Sequence, residues 1–196
     1  MHIRYNTQHR LEMVILFPGE YHATPFDKII STLLGSCVAV ALFDKERKIA
    51  GLNHFMLPQR LNEKEQFYLT EAGKYGMYAM ELLINEMIKI GAVKKSLSAK
   101  VFGGAKIVAS LGSTSMNISE SNIEFAFEYL KAEGIPVVSS DTGGNHARQI
   151  LYFTENAKVF LRRITGTGSQ HVEKGELKYF EKIKSKEKAR GKLTLF

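Results

Sequence analysis

Short apolar runs alternate with turn-forming residues along most of the chain, a pattern typical of β-strands joined in hairpins. The runs predict seven strands, at residues 29–34, 37–43, 49–57, 98–102, 136–140, 148–153 and 159–164. Residues 1–28 are expected to be irregular, because Pro18-Gly19 marks a turn and the segment holds only one short apolar run, at 13–17.

Two longer segments have the apolar spacing of amphipathic helices. Residues 71–90 place apolar side chains three and four positions apart, and the pattern ends at Gly91. Residues 119–133 repeat the pattern and end at Gly134. Two such helices among short hairpin strands predict an α+β fold, a sandwich with mixed sheets.

Most of the positive charge lies at the end of the chain. The length of 196 residues fits a single domain, assigned to residues 1–172, followed by a basic tail at 173–196. Residues 173–192 account for +4 of the net charge of +7, so the domain is only weakly basic and nucleic-acid binding is not indicated. The tail is interpreted as a solvated helix; the alternative is a docking segment for an acidic receptor or a membrane-adjacent surface.

Cysteine content and hydropathy indicate the compartment. Cys37 is the only cysteine, which excludes an intramolecular disulfide and fits a reducing environment. The first residues lack the basic-then-apolar pattern of a signal peptide. The longest apolar stretch, 38–43, is far shorter than the roughly 20 residues of a membrane-spanning helix. We therefore expect a cytoplasmic protein that is not embedded in a membrane.

The chain has no motif that is typical of a metal or cofactor site. Its six histidines show no paired spacing, and only one cysteine is present to join them. Glycine-containing segments at 102–108 and 166–171 lack the spacing of phosphate-binding and dinucleotide-binding loops. We predict neither a metal nor a cofactor.

Cys37 and His54 are the candidate catalytic pair. An apolar run, a charged patch and a second apolar run lie between them and predict a hairpin with a four-residue loop at 44–47. If Phe43 pairs with Lys48, Cys37 lies directly opposite His54, with Cβ atoms about 4.5–5.5 Å apart. An imidazole at that distance can accept the thiol proton and so generate the nucleophilic thiolate.

This pairing depends on strand parity, because a loop one residue longer or shorter sends the two side chains to opposite faces. Gly35 and Ser36 precede the cysteine, where a sharp bend can direct N–H groups toward a developing oxyanion. The alternative is that Cys37 is an inert core thiol and His54 a structural histidine.

Six segments of the chain resemble, in order, sequence blocks of the chemoreceptor glutamine deamidases of bacterial chemotaxis, the CheD family. They are LGSCVAV (34–40), GLNHFMLP (51–58), KYGMYAMELLINEM (74–87), AKVFGGAKI (99–107), MNISESN (116–122) and DTGGNHAR (141–148). The resemblance extends over residues 19–164. A cysteine block and a histidine block at this spacing, followed by two Gly-Gly blocks, form a specific combination.

The resemblance implies an α/β/β/α sandwich, in which two mixed sheets are flanked by helices, related to a class of deamidating bacterial toxins. It also implies hydrolysis of particular glutamine side-chain amides on methyl-accepting chemotaxis receptors, giving glutamate and ammonia. Cys37 would form a thioester with the side-chain acyl group. His54 would act as the general base and later return a proton to the departing ammonia.

The third catalytic residue of the family is a threonine six residues before the cysteine, thought to orient the histidine. That position is Ser31 in this chain, and Thr32 follows it. Neighbouring residues of a strand face opposite sides, so only one of the two can lie beside the histidine. We take Ser31 as the third residue and Thr32 as the alternative.

Further residues are candidates for the rim of the substrate site. A helical receptor requires a shallow groove with an accessible thiol, so an exposed Phe55 beside His54 is one candidate contact. The Gly-Gly turn that follows the strand at 136–140 is another, because it permits close approach of a partner chain; the alternative is a simple tight turn. The residues of this turn are Asp141, Thr142, Gly143, Gly144 and Asn145.

The family resemblance also implies a CheC-type phosphatase as a second partner that uses the same groove. An alternative function follows from it: a non-catalytic interaction module that binds such a phosphatase or receptor helices. The retention of both Cys37 and His54 favours the enzyme, because a pure binding module needs neither.

Overall fold

The computed structural model describes residues 1–57, 70–107 and 113–190. Ten strands, three α-helices and a short 3₁₀ helix at Lys94–Ser96 lie within these ranges. The strands are β1 (His2–Asn6), β2 (Leu11–Leu16), β3 (Tyr21–Thr24), β4 (Ile29–Leu34), β5 (Val38–Asp44), β6 (Ile49–Asn53), β7 (Leu97–Gly103), β8 (Val137–Thr142), β9 (Ala147–Phe153) and β10 (Lys158–Ile164). The helices are α1 (Glu71–Lys89), α2 (Ser113–Ala132) and α3 (Thr167–Arg190).

The strands form two mixed sheets of five strands each. Sheet A has the order β1-β2-β4-β9-β10, and sheet B has the order β3-β6-β5-β7-β8. Each sheet contains one parallel pair, β2 with β4 in sheet A and β7 with β8 in sheet B. The other neighbours are antiparallel. This topology confirms the predicted α+β fold with two mixed sheets.

The central strand of sheet B, β5, is buried on both of its faces. One face of β5, with Val40 and Leu42, packs against apolar side chains of α1 and α2. The other face, with Ala39 and Ala41, packs against sheet A. Burial on both faces explains why β5 is a continuous apolar run rather than an alternating pattern.

The N-terminal segment contains β1, β2 and β3, so the expectation that residues 1–28 are irregular is wrong. β2 is the apolar run noted in the sequence, and it buries Met13, Val14 and Leu16 beside β4. Pro18-Gly19 marks the turn that leads from β2 to β3, and it does not exclude the strands on either side. β1 is a short edge strand in which four of the five residues are exposed, so it has no buried apolar face.

Helix α3 packs on the domain along one face. Val172, Glu176, Phe180 and Ile183 are all buried, and their spacing of three or four residues places them on the same side of the helix. Phe180 and Ile183 join the apolar cluster between the two sheets. The interpretation of the tail as a solvated helix is therefore wrong for this stretch. Residues 191–196 lie outside the described residues.

None of the helices in the described part of the chain has an apolar stretch long enough to cross a membrane.

Candidate functional site

Cys37 lies where the chain crosses from sheet A to sheet B. Residues 35–37, called the cysteine loop below, join the end of β4 to the start of β5. All three carbonyl groups of the loop accept hydrogen bonds: from the Gly104 N–H at 2.7 Å, the Ala105 N–H at 2.6 Å and the Asn122 side-chain amide at 2.8 Å. These contacts hold the loop backbone in one conformation.

The backbone of His54 is held by the turn between β2 and β3. The His54 N–H donates to the carbonyl of Glu20 at 2.9 Å, and the Gly19 N–H donates to the His54 carbonyl at 2.7 Å. The ladder between β5 and β6 is interrupted at the preceding residue, where the Val40 N–H donates to the side chain of Asn53 at 2.9 Å. His54 is thus fixed at a local irregularity in sheet B.

The predicted hairpin forms, but its register is shifted. Phe43 pairs with Ala50 rather than with Lys48, and the pairing resumes after His54 at the bridge between Val38 and Phe55. The shift is two residues in register, so parity is preserved and Cys37 shares a face with His54. The two are diagonal rather than directly opposed neighbours, and a ring nitrogen of His54 lies within 4.8 Å of the Cys37 sulfur.

Thr32 contacts His54 from the opposite sheet. The Thr32 Oγ1 lies 2.7 Å from His54 Nδ1 and donates its own proton to the carbonyl of Leu16 at 2.8 Å. A carbonyl only accepts, so the hydroxyl proton is committed to Leu16 and His54 Nδ1 must donate to Thr32. The second ring nitrogen, Nε2, then carries a lone pair, and it has no hydrogen-bond partner among the described residues.

The structure places Thr32, not Ser31, beside the histidine. Thr32 shares the inner face of β4 with Ile30 and Leu34, which pack between the sheets. Ser31 lies on the other face of β4, and within the described part of the chain no hydrogen bond joins it to His54. Of the two candidates for the third residue, the alternation of side chains along the strand thus brings Thr32, the alternative, and not Ser31 to the histidine.

Glu176 of α3 is a member of this site that was not predicted from the sequence. Its Oε1 accepts hydrogen bonds from the N–H groups of Gly35 at 2.8 Å and Cys37 at 3.2 Å. Its Oε2 accepts from the N–H and the hydroxyl of Ser36, each at 2.7 Å. The three N–H groups of the cysteine loop thus converge on one carboxylate. The available signal was a single Glu in the apolar stripe of α3, between Val172 and Phe180.

Burial sets the protonation of the site. Cys37, His54 and Thr32 are each at most 1% exposed. Removal from water lowers the pKa of His54 to about 3, so the imidazole is neutral. Burial, reinforced by the Glu176 carboxylate, raises the pKa of the Cys37 thiol well above its ordinary value. In this closed arrangement the site holds a thiol beside a neutral imidazole.

The same residues form the one potential metal-ligand cluster in the described part of the chain. Ligand atoms of Cys37, His54 and Glu176 lie within 4.8 Å of one another. Both oxygens of Glu176 already accept hydrogen bonds, and the raised pKa of Cys37 disfavours the thiolate that a metal requires. In this arrangement the Glu176 carboxylate is therefore committed to the cysteine loop and Cys37 to its thiol form.

The turn predicted as a substrate rim supports the cysteine loop through one intermediate segment. The Gly143 N–H donates to Gly103 at 2.9 Å, and the Lys106 N–H donates to Gly144 at 2.8 Å. Arg148 spans both segments and donates to the carbonyls of Gly103 at 2.8 Å and Gly143 at 2.7 Å. Asp141, Thr142 and Asn145 line a surface pocket of about 340 Å³ together with Gly143 and Gly144.

Phe55 does not lie on a surface. It is fully buried, and its ring packs edge-on against Phe125 of α2 with ring centroids 5.7 Å apart. Adjacent strand residues face opposite sides, so Phe55 and His54 lie in different layers of the fold. Its candidacy as a substrate contact is corrected: Phe55 belongs to the core between sheet B and the helices.

A cysteine, a histidine and a hydroxyl that orients the histidine, next to converging N–H groups, define the class of thiol-dependent acyl-transfer enzymes. Among known proteins, the family model described as CheD chemotactic sensory transduction matches residues 56–163. The chain belongs to the CheD family.

Several curated relatives carry the name "Probable chemoreceptor glutamine deamidase CheD". The Laribacter hongkongensis protein is 40% identical over 175 residues, which is 89% of this chain and 84% of that protein. A Shewanella oneidensis protein is 42% identical over 183 residues, 93% of this chain and 87% of its own length. A Geobacter sulfurreducens protein is 46% identical over 156 residues, 78% of this chain and 77% of its own length.

Proposed function

We propose that this chain is a protein-glutamine glutaminase that converts glutamine side chains of methyl-accepting chemotaxis receptors to glutamate and ammonia. The observation that carries the proposal is the hydrogen bond from His54 to Thr32 at 2.7 Å, next to Cys37. It assigns the proton to Nδ1 and leaves Nε2 as a base that can accept the thiol proton. The names of the relatives supply the substrate.

Acylation begins with proton transfer from the Cys37 thiol to Nε2 of His54. The sulfur then attacks the side-chain amide carbon of a glutamine, and the carbonyl electrons move onto oxygen. N–H groups of the cysteine loop are suited to donate hydrogen bonds to that oxyanion, because they already converge on a carboxylate in this structure. The C–N bond breaks, Nε2 returns the proton to nitrogen, and ammonia leaves.

Deacylation uses water and the same base. Nε2 takes a proton from a water molecule, whose oxygen attacks the thioester carbon. The C–S bond then breaks, the sulfur recovers its proton from the imidazole, and the side chain leaves as glutamate. Thr32 acts throughout as a positioning residue, which holds the imidazole in one tautomer.

The proposal is tested with a receptor signalling fragment as substrate. We expect each converted glutamine to gain about one dalton, the difference between an amide and an acid at the acyl carbon. Cys37→Ala should abolish the gain, and Ser31→Ala, on the far face of the same strand, should preserve it. An equal mass gain with Cys37→Ala, or none with the unmodified protein, would contradict the enzymatic proposal.

A non-catalytic interaction module is the second candidate, favoured by the complete burial of Cys37. This alternative predicts that the receptor fragment binds without any change in mass. A CheC-type phosphatase belongs to the proposal as a second partner, and its addition should slow receptor deamidation by competition for the same groove. A cytoplasmic site of action is also proposed, because a catalytic thiol stays reduced there.

A further inference from the structure

Helix α3 contacts both segments that hold the catalytic pair. Glu176 accepts hydrogen bonds from the cysteine loop, as described above. One turn further on, the Tyr179 hydroxyl lies 2.5 Å from that of Tyr75 on α1. Tyr179 also packs so closely on Gly19 that a Cβ atom there would lie 2.3 Å from its oxygen. Gly19 is the residue whose N–H holds the carbonyl of His54.

The hydrogen bonds of Glu176 resemble those that a reaction oxyanion would accept from the cysteine loop, and not those of a structural ion pair. Its four hydrogen-bond donors all belong to the cysteine loop, and no Lys or Arg of the described residues forms an ion pair with it. Its side chain is 2% exposed. A glutamate side chain next to a catalytic cysteine is also the product of glutamine deamidation.

We propose that the groove beneath α3 is the substrate groove, and that Glu176 occupies the acyl subsite in the manner of a bound product. The inference rests on the proposed function, since deamidation of a receptor glutamine leaves a glutamate side chain there. The chain then carries its own occupant of the site, and a substrate helix must displace α3 before Cys37 can react.

Two consequences follow for the chemistry of the groove. The closed state is inactive, because Glu176 occupies the N–H groups and its charge raises the pKa of Cys37. The buried stripe of α3 also indicates what a competing helix needs. It should present a glutamine with apolar residues four before and three, four and seven after it, as Val172, Tyr179, Phe180 and Ile183 stand around Glu176.

The substitution Glu176→Gln tests the position directly, because it turns the occupant into a substrate. We expect the introduced amide to be hydrolysed by Cys37, so that the purified variant regains about one dalton at position 176, as amide-to-acid conversion requires. Tandem mass spectrometry locates the change. The double variant with Cys37→Ala should keep its amide, and so should Glu181→Gln, on the exposed side of the same helix.

The outcomes separate the two proposals. If the amide at position 176 persists while the unmodified protein converts the receptor fragment, the assignment of Glu176 to the acyl subsite is wrong and the proposed function stands. If neither amide is converted, both proposals fail. Conversion at position 176 that persists without Cys37 also contradicts the inference.

Alkylation of Cys37 by iodoacetamide provides a second measurement that requires no substrate. Glu176→Ala removes the four contacts that hold α3 on the cysteine loop, and we expect alkylation to be about tenfold faster or more. Glu181→Ala, with the same change in charge and in the same helix, should leave the rate unchanged. Receptor deamidation should also rise in Glu176→Ala.

A fall in deamidation in Glu176→Ala, with the alkylation rate unchanged, would mean that Glu176 only supports the loop. That result would overturn the assignment. Tyr179→Phe is a milder variant that removes the contact with Tyr75 and keeps the ring; it should accelerate alkylation less than Glu176→Ala does. Circular dichroism checks that each variant retains its helices.

Discussion

The carboxylates of Asp141 and Glu176 both contact segments that build this site, but their surroundings differ. Asp141 is 30% exposed and lies 2.9 Å from a nitrogen of Arg148 and 3.0 Å from one of Arg163. Glu176 is 2% exposed, and its hydrogen-bond donors among the described residues are N–H and O–H groups of the cysteine loop, together with the Cys37 thiol. A carboxylate between two guanidinium groups forms charge-assisted hydrogen bonds that hold its segment in place. A carboxylate that contacts only loop donors can exchange for another anion.

Gly103 connects the two regions. Its carbonyl accepts from Arg148 on the Asp141 side, and its own backbone lies against the carbonyl of Cys37 on the Glu176 side. Substitutions at Gly103, on the Asp141 side of it and on the side of the catalytic residues should therefore have separable effects on stability and activity.

The largest effect is expected from Gly103→Ala. The residue has φ of 114°, and an added Cβ would lie 2.1 Å from the Cys37 carbonyl oxygen, a backbone atom that cannot move aside easily. We expect a loss of about 3 kcal/mol or more in the free energy of unfolding, measured by urea denaturation. Gly134→Ala is the matched control with φ of 68° and open space around it. It should lose only about 1 kcal/mol.

Arg148→Met should have the second-largest effect. It removes contacts only on the Asp141 side of Gly103. Arg148 is 3% exposed, so its loss removes a buried donor from the carbonyls of Gly103 and Gly143 and one of the two guanidinium groups beside Asp141. We expect a destabilisation of about 3 kcal/mol by urea denaturation. Arg163→Met, at a side chain 60% exposed, should change stability by less than about 0.5 kcal/mol. Equal losses in the two variants would contradict the distinction between them.

Thr32→Val should affect the orientation of His54 and leave the contacts of Asp141 unchanged. It keeps the shape of the side chain and removes the oxygen that orients His54, so we expect kcat for receptor deamidation to fall about tenfold to a hundredfold. Thr32→Ser should restore most of the rate, and Ser31→Ala should match the unmodified protein. A rate that depends on Ser31 instead would overturn the assignment of Thr32.

The smallest effect is a pH dependence of stability. The folded pKa of His54 is about 3 and lies below the unfolded value of 6.5, so the unfolded state alone gains a proton as the pH falls between these values. This contribution to stability is complete above pH 6.5 and decreases below it. At pH 5 the loss amounts to about 2 kcal/mol, at 1.36 kcal/mol for each pH unit. Comparison with His54→Gln by urea denaturation at pH 7 and pH 5 isolates it, since the variant should lack this slope.

Strand parity made the catalytic pair predictable from the sequence. The register between β5 and β6 was not predicted correctly. The predicted loop began at Asp44, but Asp44 is buried and pairs with Ile49 as the last residue of β5. Its carboxylate accepts from the N–H groups of Glu46 and Arg47 at 3.1 Å, so the turn begins one residue later. The four-residue loop therefore moves one position along the chain, from 44–47 to 45–48. This shifts the register by two residues, so the faces are unchanged.

The third residue could not be predicted from local pattern. β4 is the central strand of sheet A and both of its faces are buried, so the run of Ile29 to Leu34 shows no polar alternation that would distinguish Ser31 from Thr32. Glu176 was missed for a different reason. It reaches the cysteine loop across about 140 residues of chain, and its helix has a lysine-rich outer face that dominates its composition.

The Thr32–His54 contact joins the two sheets as well as the two residues. Thr32 belongs to sheet A and His54 to the end of β6 in sheet B, so the imidazole keeps its tautomer only while the sheets keep their spacing. A slide of one sheet past the other by an ångström would leave the ring free to exchange its proton between nitrogens. The ¹⁵N chemical shifts of the His54 ring, which report its tautomer, would thus also report the relative position of the two sheets.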